Sequence, residues 1–77
     1  MDMLIVERTA AGGFKAIAQK VGTHIPCRHD HIDVEGVLWK VQRVVHWTSY
    51  DLLTRYYEVE IGGSYRVVLE VKRYIAY

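Results

Sequence analysis

One cysteine, one proline and no long apolar run set the outer limits on this 77-residue chain. The lone Cys27 excludes a disulfide within the chain, and it suits a reducing compartment better than a secreted, disulfide-stapled scaffold. No apolar stretch approaches the roughly 20 residues of a membrane span. The start, Met1-Asp2-Met3, has neither the basic region nor the apolar core of a signal peptide. Together these absences predict a cytoplasmic protein with no membrane partner. The only proline, Pro26, lies in a segment from Thr23 to Arg28 that reads as loop. No linker, low-complexity segment or repeat divides the chain, so one domain is expected over residues 1–77.

An excess of one charge is missing as well. Ten basic residues face nine acidic ones, a formal net charge of +1, which is no general signal for nucleic acid. There is no Gly-rich phosphate loop and no G-x-S-x-G elbow. Cys27 has His24 and His29 nearby in sequence, but sequence neighbours are not thereby aligned as nucleophile and base. A non-enzymatic protein without a cofactor is expected.

What the chain does have is alternation. From Val37 the odd positions run Val37, Trp39, Val41, Arg43, Val45, Trp47. They resume as Leu53, Arg55, Tyr57, Val59, Ile61, and again as Tyr65, Val67, Leu69, Val71, Arg73, Ile75. Period two is the mark of strands with one buried face. Met3 to Thr9 is apolar on both alternations, which predicts a strand covered on both sides. Phe14, Ile17, Ala18 and Val21 fall at helical spacing before Gly22, predicting a short helix, with a strand as the alternative. Ile32 and Val34 face in on a short strand, and Glu35-Gly36 forms a two-residue turn pairing Val34 with Val37 and Ile32 with Trp39. Parity favours a three-residue Gly62-Gly63-Ser64 hairpin loop and a Lys40–Glu60–Arg66 ladder on the solvent face. The expected order is β–α–β–β–β–β: mainly β, either a small SH3-like, partly open barrel or a curled antiparallel sheet carrying one short helix.

Three groups of residues are candidates for function. His24, His29, His31 and His46, with Cys27, Asp30 and Asp33 near them, raise the question of a metal, but their spacing matches no zinc-finger template. Arg43, Arg55 and Arg73 interrupt apolar faces, and a buried, unpaired guanidinium is costly. Trp47, Arg55 and Arg73 on one rim would stack a base and hold a phosphate, the chemistry of a nucleic-acid or nucleotide binder. The third group is apolar residues on the face that should be wet: Leu38, Val44, Tyr56, Val68 and Tyr74, with Tyr77 at the end of the chain. Six tyrosines, two tryptophans and six arginines are the residue types enriched in interface cores. A chain this short buries only roughly 60% of its unfolded surface, so a partner subunit would help stabilise it. Contact with another protein, or with a second copy in a dimer, is the leading expectation, through Val44, Tyr56, Val68, Tyr74 and Tyr77.

The stretch from Ile32 to His46, a strand, a Gly turn and an aromatic–x–Val–x–x–Val strand, resembles the opening of many small phage and prophage β-proteins. That resemblance covers about a fifth of the chain. It implies an SH3-like barrel with an accessory role, either a virion assembly adaptor or a short inhibitor that docks on a host defence complex. It carries over no individual functional residue.

Overall fold

The computed structural model describes residues 2–22, 24–59 and 66–74. It is mainly β: a curled, five-stranded mixed sheet forming a half-barrel, with one short helix. The elements are β1 (Asp2–Arg8), β2 (Phe14–Val21), β3 (His31–Val34), β4 (Val37–His46), α1 (Tyr50–Tyr57) and β5 (Val67–Arg73), and the strands lie side by side in the order β2-β1-β5-β4-β3.

The strand expected to be covered on both sides is central. Met3, Leu4, Ile5 and Val6 of β1 are all buried, and β1 pairs with β2 on one edge and, in parallel, with β5 on the other. β5 is covered in the same way from Val67 to Val71, as expected of a strand beside a parallel neighbour with both faces occupied. The β3–β4 hairpin has the register read from the sequence, with Val34 opposite Val37 and Ile32 opposite Trp39. Glu35 and Gly36 both take positive φ, 52° and 82°, which is the twist a two-residue hairpin needs. Asp33 Oδ1 accepts the Gly36 N–H at 2.9 Å and braces that turn.

The helix lies elsewhere in the chain than expected. Residues Phe14–Val21 form an edge strand, joined to β1 through a tight loop in which Thr9 N–H donates to the Gly13 carbonyl and Gly12 sits at φ +89°. A bulge explains the misleading spacing. Ile5 pairs with Ala18 but Val6 pairs with Ala16, so Ile17 is an extra residue. Phe14 and Ala16 therefore pack on one face of the sheet, and Ile17 and Ala18 on the other. An interrupted period of two imitated a period of three to four.

The segment read as a strand from Leu53 is instead α1. Its start follows Ser49 in extended conformation, Asp51 lies in its first turn and Arg55 in its last, where each charge suits the helix dipole. Leu53 and Tyr57, four residues apart, are 0% and 1% exposed and seat the helix on Leu4, Val6 and Val68. Glu58 ends it in the left-handed region at φ 54°. Leu53 therefore does not pair with Trp47. Lys40 lies between His31 and Lys72. The Gly62-Gly63-Ser64 loop and Glu60 lie outside the described residues.

Two apolar layers result. On the face away from α1, Met3, Ile5, Trp39, Val41, Val67, Leu69 and Val71 line the hollow of the half-barrel with Val34. On the other face the α1 layer gathers Phe14, Trp47 and Val59 around Leu53 and Tyr57.

Candidate binding surface

β4 decides which side chains reach which face. Val41 pairs with Val71, but Arg43 pairs with Glu70, so Gln42 is a second bulge residue. Before it, Trp39 and Val41 point into the half-barrel. After it the alternation is reversed, and Val44 packs toward that core while Trp47 joins the helix layer. Arg43 thus stands on the face of Glu70 and α1, not on the face of Trp39 and Val41 where unbroken alternation puts it.

There it completes a polar cluster. Glu70 is 7% exposed, and its Oε2 accepts from Arg43 Nε at 3.0 Å, from an Arg43 terminal nitrogen at 2.6 Å and from the Tyr57 hydroxyl at 2.8 Å. A buried carboxylate held by a forked guanidinium and a phenol is a stable arrangement, because its charge is met by charge-assisted donors. The Arg43 guanidinium also reaches the Tyr56 hydroxyl at 3.4 Å. Glu70, and after it Tyr56, holds the Arg43 proton more firmly than usual. Burial, and next the Glu70 carboxylate, push the Tyr57 phenol well above its ordinary value of 10.0.

The Tyr57 shift has a testable consequence. A tyrosine that holds its proton more tightly when folded contributes full stability below about pH 10 and loses it as pH climbs toward the raised value. Tyr57→Phe is expected to cost about 1–2 kcal/mol at neutral pH through the lost hydrogen bond. Above pH 10 the variant should lose stability less steeply than the parent, by up to about 1.4 kcal/mol per pH unit. Urea melts from pH 8 to 11.5 measure both. Parallel curves above pH 10 would show that the phenol is not held as described.

The expected site residues are scattered rather than gathered. Trp47 packs edge-on to Tyr57 at 5.8 Å and tilted to Tyr56 at 5.2 Å. The Arg73 guanidinium lies over Trp39, 5.6 Å from the ring centre. Trp47 follows the end of β4 that pairs with the start of β5, and Arg73 ends β5, so roughly 20 Å of strand separates them. Arg55 is exposed on α1. The three do not form one rim. His31 pairs opposite Lys40 while His46 closes the far end of β4, and among the described residues no three His, Cys, Asp or Glu side chains converge on a point. Cys27 is exposed in a turn closed by its N–H to Asp30 Oδ2 at 2.8 Å.

The surface residues divide too. Val68 is 0% exposed beneath α1, and Val44 is half-buried, so neither presents the open apolar spot expected of it. Alternation over a single buried face puts Val68 outward, but α1 covers that face. Tyr77 lies outside the described residues. Tyr56 is exposed on α1, and Leu38 and Tyr74 are exposed side by side. Tyr74 N–H donates to the Leu38 carbonyl at 3.0 Å, and the His31 ring lies 4.5 Å from that of Tyr74. Alternation along β5 puts Tyr74 on the face of Val68 and Glu70, where Lys40 and Lys72 also point, beyond the reach of the helix.

Sequence reasoning missed Glu70 and the bulge at Gln42. The usable signal was Glu70 itself, a lone carboxylate among Val67, Val68, Leu69 and Val71, which demands a cationic partner. Comparison of the chain with family models, curated proteins and solved structures finds no match.

Proposed function

We propose that this chain is a non-enzymatic binding module that acts through protein contacts, and that Leu38, Tyr74 and His31 form the centre of the contact. The observation that carries this reading is the exposure of Leu38 and Tyr74, 41% and 40%, next to each other on the stretch of sheet that α1 leaves bare. An aliphatic and an aromatic side chain flanked by Lys40 and Lys72 on one side and by Asp33 on the other suit a partner with an apolar centre and a rim of both charges. A cytoplasmic setting belongs to the same proposal and rests on the lone, exposed Cys27. The resemblance of residues 32–46 to small phage β-proteins makes an assembly adaptor or a defence inhibitor the first role to examine.

Leu38→Asp with Tyr74→Asp tests it. Both side chains are exposed, so the melting temperature should fall by only a few degrees. Retention of a partner from host extract, and any dimer seen in sedimentation, should be lost. A double variant that keeps every partner and the same sedimentation would overturn this surface.

A further inference from the structure

We infer that the outer edge of β4, from Arg43 to His46, is a docking site for an extended, acidic segment of another protein, which joins the sheet there as an added strand. The inference rests on the protein-binding reading and adds to it a second place and a chemistry.

Among the described residues the edge is open, because β3 is too short to cover it. β3 pairs only with Val37 to Lys40. The turn before it covers one residue more, where Val41 N–H donates to the Asp30 carbonyl and the Val41 carbonyl accepts the His29 N–H, both at 2.8 Å. Beyond Val41, the described residues pair with β4 only from the β5 side. Backbone groups alternate along a strand, so one hydrogen bond fixes the rest. Trp47 N–H donates inward, to the Arg66 carbonyl at 2.6 Å. Val45 and Arg43 therefore turn inward as well, and Val44 and His46 direct their N–H and C=O groups outward. Four residues offer about 13 Å of edge, enough for two hydrogen-bonded pairs with an incoming chain.

A hollow of about 600 Å³ adjoins this edge, with Ile25, Pro26 and Val44 among its apolar walls. Alternate side chains of an added strand would enter it. The charge around it selects the ligand. Arg28 and Arg43 line the hollow and no carboxylate does. Arg43 is engaged by Glu70, but Arg28 has no ion partner among the described residues. An uncovered edge and a cation without an ion partner among the described residues favour a strand that alternates apolar and acidic residues.

The probe is a blocked peptide of three Glu-Val repeats, with a Lys-Val peptide of the same length as control. Amide hydrogen exchange of Val44 and His46 is read by NMR at millimolar peptide. The acidic peptide should slow both amides at least tenfold, and the lysine peptide should not. His46→Pro removes one outward N–H and spares the β4–β5 ladder, so the variant should fold and lose the protection. Arg28→Glu should weaken binding several-fold and reduce its salt dependence. The inference is overturned if neither amide is slowed, if both peptides act alike, or if the two amides are already protected in the free chain. The Leu38→Asp, Tyr74→Asp variant separates the two proposals. It should bind the peptide normally, so peptide binding lost there and kept in His46→Pro would also overturn strand addition.

Discussion

Leu53→Ala should cost about 3 kcal/mol. Leu53 is 0% exposed, and with Tyr57 it is the side chain through which the helix contacts Leu4, Val6 and Val68. The helix spans eight residues, too short to persist on its own propensity, so its stability comes from that contact. A 77-residue domain has about 4–12 kcal/mol in total, and the loss is a large share of it. Leu52→Ala is the control: Leu52 is 48% exposed, and its loss should stay within about 0.5 kcal/mol. Urea denaturation with unchanged slopes gives both values. Equal costs at the two positions would contradict the helical seating.

Glu70→Ala should cost about 2–4 kcal/mol despite removing a buried charge. The change leaves the Tyr57 hydroxyl buried without its acceptor and strips Arg43 of its ion partner. Loss of a solvent-exposed ion pair would matter far less. Here the carboxylate side of the pair is 9% exposed and the arginine side 51%, so the burden falls on the carboxylate end and on Tyr57. The asymmetry gives a sharper comparison. Arg43→Met leaves Glu70 buried with only Tyr57 as donor, and it should be at least as harmful as Glu70→Gln, which keeps an acceptor for the phenol. A double-mutant cycle between Tyr57→Phe and Glu70→Gln should give a coupling of about 1–2 kcal/mol. A coupling near zero would show that the two groups do not act together.

Both predictions concern the α1 layer, and that layer is where the sequence misled most. Its alternation placed Leu53 and Tyr57 on one buried side, and they are buried, but on a helix. Positions four apart satisfy both a period of two and a helical turn, so the pair could not choose between them. Ser49, Asp51 and Arg55 were the deciding local signals. Alternation puts Arg43, Arg55 and Arg73 on apolar faces, and the structure places them otherwise: Arg43 reaches Glu70 across the bulge, Arg73 lies exposed over Trp39, and Arg55 is exposed on α1. Of the surface residues, Leu38, Tyr56 and Tyr74 are exposed as read, while Val44 and Val68 are not.

By itself the sequence determined the fold class, the two-sided burial of β1, the β3–β4 turn and its register. These follow from contacts between chain neighbours and from composition: a doubly apolar run, a Glu-Gly turn, a short alternating hairpin. Only the tertiary structure decided the parallel β1–β5 pairing, the seat of α1 and the faces of Arg43, Val44 and Trp47. A bulge adds one residue without a sequence signature, and each added residue reverses every side chain that follows it. Gln42 and Ile17 are such residues, and their positions are set by how the sheet curls around its core, which no local pattern records.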